Sequence, residues 1–235
     1  MVQVILDGTV EPSATVRVRF RKTGALQYTA HLDLVRTLTK AIVRAGIPVR
    51  YSEGFNPHPR FSFATAMSIG LESTYELMDI RIDKPVDTDA LTLALRESLT
   101  EECYIEESYF PERKFTDIAY SSYRIEIVAE NADEALARRV EEALGAERII
   151  VFKRSKSGDK DTDIASSIKE AAVTFENGAV VINATLAADN AGFLNPEYLV
   201  TYLKNALGIL SGSPLKEKYG ICRTGLYDKN MVLFK

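Results

Sequence analysis

The feature that most constrains the fold is a change of hydrophobic period early in the chain. Residues 15–22 alternate strictly, with Val16, Val18 and Phe20 on one side and three arginines on the other. This is the period of a strand that is buried on one face. Residues 30–45 then follow a helical period, and Gly46 marks the stop. The pattern predicts a half-buried strand followed by an amphipathic helix.

The same order of elements occurs twice, which predicts an α+β fold of two ferredoxin-like (β-α-β-β-α-β) halves. In the first half we expect extended pieces at 47–51 and 60–66, a strand at 75–83, a helix at 88–99 capped by Asp87, and a strand at 102–110. In the second we expect strands at 119–129, 147–153, 169–176, 179–187 and 221–227, with helices at 132–144 and from Asn195-Pro196 to 207.

The boundaries follow from these elements. We expect an N-terminal extension over 1–14, a first half over 15–110, a linker over 111–117 and a second half over 118–235. Asn131 is the expected N-cap of the helix at 132–144. Asn177-Gly178 predicts a tight hairpin turn between the strands at 169–176 and 179–187. The polar stretch 153–160 is expected to be a loop.

Composition excludes several classes of protein. The 235 residues carry a net charge of −4, which argues against a protein that coats nucleic acid by bulk positive charge. Cys103 and Cys222 form no CxxC pair, so we expect no disulfide scaffold, no metal site and no cofactor held by the chain. No apolar run approaches the ~18 residues of a membrane span. We therefore expect a cytoplasmic protein without a membrane partner.

The charge is concentrated in one segment. Residues 15–61 contain nine lysines and arginines against two carboxylates, a charge of +7 that leaves −11 for the remainder. Arg17, Arg19 and Arg21 are expected on the uncovered face of the sheet, where RNA-binding sheets of this topology make contacts. One hypothesis is that they bind phosphate. The alternative is a solvated strand face paired with carboxylates of neighbouring strands.

Both histidines of the chain fall in this segment. His31 lies in the first turn of the predicted helix, near its apolar stripe, where the helix dipole favours a neutral imidazole. It is either a general base or a hydrogen-bonded histidine that closes the core, and Tyr28 could share either role.

Residues 54–60, Gly-Phe-Asn-Pro-His-Pro-Arg, form a rigid segment. The two prolines fix their own φ and hold Asn56 and His58 extended. Asn56, His58 and Arg60 would then project to one side, where Arg60 suits phosphate and the other two could read a ligand. The alternative is a loop whose rigidity serves packing only.

The segment resembles a known family. The resemblance is carried by Lys22-Thr-Gly-Ala-Leu-Gln-Tyr-Thr-Ala-His31-Leu-Asp-Leu, then Arg44-Ala-Gly-Ile-Pro-Val, then Tyr51-Ser-Glu-Gly-Phe-Asn-Pro-His58-Pro. These motifs resemble the bacterial radical-SAM-linked proteins, a family of unknown function fused to, or encoded beside, a B12-binding-type radical SAM protein. The resemblance implies a separately encoded radical SAM partner, because this chain has no CxxxCxxC of its own. It supplies no catalytic residue.

A second, fold-level resemblance is to the CRISPR repeat-cleaving endoribonucleases, which pair two ferredoxin-like halves in a RAMP-like arrangement. The chain lacks their C-terminal glycine-rich loop.

Three functions remain open. The first is an accessory protein that binds RNA (tRNA or rRNA), or another anionic ligand, for the radical SAM enzyme. The second is an RNA-processing or RNA-modifying enzyme that uses His31 or His58 as general acid and base. The third is a protein-docking partner without a nucleic-acid role.

Overall fold

The computed structural model describes residues 4–9, 14–153, 158–189, 192–212 and 214–235. The chain divides into two compact units, residues 1–115 with Lys235, and residues 116–234. Every strand pairing within the described parts of each unit is antiparallel. The fold is therefore of the mixed α+β class.

The first unit packs two helices on one face of its sheet. The strand order is β4-β1-β3-β2. Alternate residues of β1, among them Val18 and Phe20, form a buried core with Leu38 and Ile42 of α1 and Leu91 of α2. The strand at 15–22 and the helix after it are both confirmed, but the second face of the strand is not exposed throughout, because Arg17 is buried; Lys22 at the end of the strand is buried as well. The elements are β1 (Thr15–Lys22), α1 (His31–Arg44), β2 (Phe61–Phe63), β3 (Leu71–Arg81), α2 (Thr88–Ser98) and β4 (Ile105–Tyr109).

The second unit has a sheet with the order β10-β5-β9-β8 and a separate pair, β6-β7. Ile125 and Ile127 of β5, Ile182 of β9 and Leu199 of α4 are among its buried residues. Its elements are β5 (Ile118–Val128), α3 (Glu134–Leu144), β6 (Ile150–Lys153), β7 (Lys160–Asp163), β8 (Ile168–Glu176), β9 (Ala179–Ala187), α4 (Glu197–Leu207) and β10 (Lys218–Asp228).

Local signals at the ends of elements have mixed outcomes. Asp87 caps α2 as predicted, because its side chain accepts from the backbone N–H groups of Asp89 and Ala90 at 2.9 Å each. The Asn177-Gly178 turn is also confirmed, with φ of 51° and 81°. The N-cap prediction for α3 is wrong. Asp133 rather than Asn131 takes that position, and it accepts from Leu136 N–H at 2.7 Å.

Two predicted segments fall partly outside the described residues. In the predicted loop 153–160, residues 154–157 lie outside them, and Lys153 and Lys160 pair as the ends of β6 and β7. In the predicted extension 1–14, residues 1–3 and 10–13 lie outside them. Ile5 forms a bridge with Val86, and Val4 is buried. No helix in the described ranges is both long and apolar enough to cross a membrane.

Candidate functional site

A cleft of about 470 Å³ lies between α1 and the segment that carries β2 in the first unit. One side is formed by the stripe His31, Val35 and Thr39, which are four residues apart and so lie on one face of the helix. The residues that line the cleft are mostly apolar or aromatic, and they also supply imidazole and hydroxyl groups. The opposite side comprises His58, Pro59, Phe61, Ser62, Phe63 and Ala66. The cleft therefore brings the two histidines of the chain together.

His31 is the first residue of α1 and is half-buried. Its ring meets that of Phe63 edge to face, with centroids 5.1 Å apart. Within the residues that the structure describes, neither ring nitrogen has a hydrogen-bond partner. The imidazole is thus held by aromatic packing, and its nitrogens remain available to a ligand in the cleft.

His58 is held by the loop that contains it. Its Nδ1 lies 2.9 Å from Ser52 Oγ and 3.3 Å from the carbonyl oxygen of Asn56. The backbone N–H of His58 also donates to Ser52 Oγ at 3.1 Å. A carbonyl oxygen can only accept, so the Nδ1–H tautomer is the one that satisfies both ring contacts. This tautomer leaves a lone pair on Nε2 of the exposed ring.

The tip of this loop is exposed. The Phe55 side chain is fully exposed to solvent, and the next two residues, Asn56 and Pro57, are exposed as well. Gly54 has a φ of 122°, a conformation that residues with a Cβ rarely adopt. The bridge between Tyr51 and Pro59 closes the base of the loop. Tyr28 is exposed as well and does not line the cleft.

The arginines of β1 lie on the opposite face of the sheet, and each one has a carboxylate partner. Arg17 is completely buried and donates to both carboxylate oxygens of Asp79, at 2.7 and 2.9 Å. Arg19 pairs with Glu107 at 2.9 Å, and Arg21 pairs with Glu106 at 2.6 Å. Their guanidinium groups also stack over the rings of Phe115, Tyr75 and Tyr104 respectively. Phosphate binding by these three arginines stays a prediction that their contacts do not support.

Arg60 differs from the arginines of β1. Its side chain is exposed, and it forms no ion pair within the described part of the chain. It follows His58 by two residues, so it lies next to the cleft along the chain without lining it.

Sequence reasoning missed three contributors to the site. Ser52 positions His58, and Phe61 and Phe63 form the aromatic wall. The Phe-Ser-Phe alternation at 61–63 was a usable signal, because it places both rings on the face that packs against α1. No group of three or more histidine, cysteine or acidic side chains lies close enough to hold a metal ion among the residues described.

Comparison with known proteins gives one family and two distant structures. A family model described as "Uncharacterized protein conserved in bacteria (DUF2344)" matches residues 15–196, a range that includes the whole cleft. No curated protein matches the chain.

A crystal structure of a Cbf5-Nop10-Gar1 complex is 8% identical with a TM-score of 0.49, over 91% of this chain and 49% of that one. An unknown protein from Galdieria sulphuraria is 10% identical with a TM-score of 0.26, over 89% and 98%. The chain thus spans about half the length of the first structure. Likenesses at these scores carry no functional argument.

Proposed function

The chain belongs to the family of uncharacterized bacterial proteins DUF2344, and on that premise we propose that it is an accessory protein which binds RNA, or another anionic ligand with a planar ring, in the cleft between His31 and His58. The observation that carries this proposal is that the only two histidines of the chain line one cleft with Phe61 and Phe63. Proteins read single-stranded RNA by stacking unpaired bases on aromatic and histidine rings and by hydrogen bonds to base edges.

The groups around the cleft suit such a ligand. Phe61 and Phe63 offer apolar ring surface, while His31 and the Nε2 atom of His58 offer polar contacts to a base edge. Asn56 adds an exposed amide near His58. The segment 15–61, which holds all of these groups except Phe63, carries +7 in a chain of net charge −4, and this charge favours an anionic ligand.

The radical SAM partner in this proposal rests on the sequence resemblance. The motifs at 22–34, 44–49 and 51–59 resemble those of the radical-SAM-linked proteins, and the chain has no CxxxCxxC with which to hold a cluster itself. The fully exposed Phe55, three residues before His58, and the exposed Tyr28, three residues before His31, offer apolar surface for a protein partner. We therefore infer that the protein presents its ligand to a separately encoded radical SAM enzyme.

We also infer that each unit is a ferredoxin-like half. The orders β4-β1-β3-β2 and β10-β5-β9-β8 become the same order, fourth-first-third-second, when the strands of each main sheet are numbered within their unit. That agreement in two units supports the assignment, which suits an RNA-binding role by analogy of fold only.

The binding test uses fluorescence polarisation of a fluorescein-labelled single-stranded RNA oligonucleotide. Losing a side chain that stacks on a base costs about 1–3 kcal/mol, so His58→Ala and His31→Ala should each weaken binding by about 5- to 150-fold. Arg19→Gln is the matched control, because it removes a charge from the same segment but from an arginine that is already paired. Its affinity should stay within about twofold of the parent.

Two outcomes contradict the proposal. One is unchanged RNA affinity in both histidine variants. The other is the absence of RNA binding in a protein that co-purifies with its radical SAM partner through high salt and nuclease treatment, which would establish the docking role instead.

A catalytic role is the second candidate, and the orientation of His58 favours it. The contacts of Nδ1 with Ser52 and Asn56 leave the Nε2 lone pair free to accept a proton. In RNA cleavage, one imidazole would accept the proton of a ribose 2′-hydroxyl as its oxygen bonds to phosphorus. The other, protonated, would donate a proton to the departing 5′-oxygen. His31→Ala should then keep RNA binding and lose cleavage on a sequencing gel, and equal cleavage by variant and parent would exclude this role.

A further inference from the structure

One polar group of the cleft with a fixed hydrogen-bonding role is the hydroxyl of Thr39. Its Oγ1 donates to the carbonyl oxygen of Val35, one turn earlier in α1, at 2.8 Å. The side chain is half-buried and lines the cleft. A hydroxyl has one proton and two lone pairs, so a hydroxyl that has already donated its proton can only accept from a ligand. Thr39 therefore presents an acceptor to the cleft.

His58 presents a second acceptor from the opposite side of the cleft. The Nδ1 edge of its ring faces the loop, 2.9 Å from Ser52 Oγ and 3.3 Å from the carbonyl oxygen of Asn56. A neutral imidazole carries one proton, so the proton that these contacts hold at Nδ1 leaves a lone pair on Nε2. Nε2 lies on the edge of the ring away from the loop contacts, and the ring itself lines the cleft. The loop thus fixes His58 as an acceptor.

The other side chains of the cleft do not balance these two acceptors with a fixed donor. Within the described part of the chain, the remaining polar side chains of the lining are those of His31 and Ser62, and no lysine, arginine or amide side chain lines it. An imidazole can carry its proton on either nitrogen and a hydroxyl can rotate, so each of these two donates or accepts as a ligand requires. The fixed groups therefore favour a ligand with N–H donors, and the lining suits an uncharged ring rather than a phosphate.

We propose that the cleft selects adenine and cytosine, the RNA bases with an amino group where uracil has a carbonyl. This inference rests on the proposed function and narrows its ligand. The amino group of adenine or cytosine supplies N–H donors, whereas the carbonyl oxygen in its place can only accept. A carbonyl oxygen that faces Thr39 Oγ1 or His58 Nε2 brings two acceptors together without a proton between them, and the hydrogen bond is lost. Phe61 and Phe63 can stack on any base, so they add affinity without selecting among bases.

The first experiment compares two RNA oligonucleotides of equal length that differ only in the amino group. One contains adenosine, and the other contains purine riboside, whose base keeps the ring of adenine but lacks the amino group. Fluorescence polarisation at about pH 8, where free imidazole side chains are neutral, measures both affinities. The adenosine oligonucleotide should bind about 2- to 12-fold more tightly, which is the range expected for one hydrogen bond. Equal affinities would overturn the inference and leave the RNA-binding function standing.

Matched variants test which groups produce the preference. Thr39→Val removes one acceptor and keeps the shape of the side chain, and His58→Phe removes the other and keeps a ring that can stack. Each should lower the preference for adenosine, and the double variant should abolish it. Thr37→Val is the control, because Thr37 Oγ1 donates to Asp33 O at 2.9 Å in the same manner but does not line the cleft. A folded double variant that keeps the preference of the parent would overturn the assignment.

The tautomer of His58 is measured in the absence of any ligand. Long-range ¹H–¹⁵N NMR distinguishes a protonated ring nitrogen from one with a lone pair. In the parent at about pH 8, Nδ1 should carry the proton, and Ser52→Ala should reduce the share of this tautomer because it removes the contact at 2.9 Å. A parent protein with the proton on Nε2 would overturn the acceptor role of His58.

The outcomes separate this inference from the RNA-binding function. If neither oligonucleotide binds, the RNA-binding function fails, and the preference is measured with free adenosine and free purine riboside through the NMR signals of the His58 ring. Saturation at a lower concentration of adenosine than of purine riboside would support the preference and restrict the ligand to small molecules. Equal saturation by both nucleosides, or no shift with either, would overturn the inference as well.

Discussion

Arg17 and Arg19 provide a matched test of how burial changes the contribution of an ion pair. They lie two residues apart on the same face of β1, and each pairs with a carboxylate of a neighbouring strand. The side chains of Arg17 and Asp79 are 0% and 18% exposed, whereas those of Arg19 and Glu107 are 25% and 39% exposed. Arg17 also donates to Arg113 O at 2.9 Å. The two pairs consist of the same kinds of charged group, but the pair of Arg17 is more buried and Arg17 makes more hydrogen bonds.

Replacing each arginine by methionine should give very different losses of stability. Arg17→Met leaves a mostly buried carboxylate and a backbone carbonyl without their donor, and removing one partner of a buried pair costs about 3–5 kcal/mol. Arg19→Met removes an accessible pair, which costs less than about 1 kcal/mol. With a urea m-value near 2 kcal/mol per M, the unfolding midpoints should fall by roughly 2 M and by less than about 0.5 M.

The assay is urea unfolding followed by far-ultraviolet circular dichroism. Arg17→Met with Asp79→Leu should recover much of the loss, because a buried pair that is replaced as a whole leaves no unpaired charge. If Arg17→Met does not fold, Arg17→Lys serves instead. It keeps the charge but lacks the planar fork that holds both oxygens of Asp79, so it should still lose more than Arg19→Met. Equal losses for the Arg17 and Arg19 variants would refute the reasoning from burial.

Three further predictions concern the fold. Asp87→Ala should lower the free energy of unfolding by about 1 kcal/mol, because two N–H groups of α2 lose their acceptor, and an unchanged urea midpoint would contradict this. Gly24→Ala should cost more than about 1 kcal/mol, since φ is +60° and the new Cβ would lie 2.7 Å from Glu102 Oε1. Burial raises the pKa of the Cys103 thiol to about 12. Iodoacetamide at neutral pH should therefore label Cys222 before Cys103, and mass spectrometry would detect the order of labelling. Because the pKa of the Cys103 thiol is raised in the folded state, the free energy of unfolding should fall as the pH rises from about 9 to 12.

The elements that could be predicted from the sequence are those with a local cause. The period of residues 15–22, the two-residue turn at Asn177 and the cap at Asp87 each depend on neighbours within a few residues. β7 was missed because its sequence, Lys-Asp-Thr-Asp, carries no apolar alternation, and it is paired through its backbone with β6. The cap of α3 was predicted at Asn131, but Asp133 offers an equally good side-chain acceptor two residues later. The local sequence does not distinguish between these two positions.

The candidate site could be predicted only in part, because its contacts are distant in sequence. Both histidines were candidates, but their shared cleft depends on how α1 packs beside β2. The carboxylates that pair with Arg17 and Arg19 lie 62 and 88 residues away. No local pattern specifies partners at such separations.

These partners change what the charge of residues 15–61 means. Four of its basic side chains, Arg17, Arg19, Arg21 and Arg50, pair with carboxylates that lie outside the segment, which lowers its net charge from +7 to +3. Charge that is paired across a sheet stabilises the fold and attracts a ligand little, because the field of the pair falls off steeply with distance. What remains includes the exposed Arg60, two residues from His58. An anionic ligand is therefore expected near Arg60 and the adjoining cleft, and not on β1, where counting arginines alone would place it.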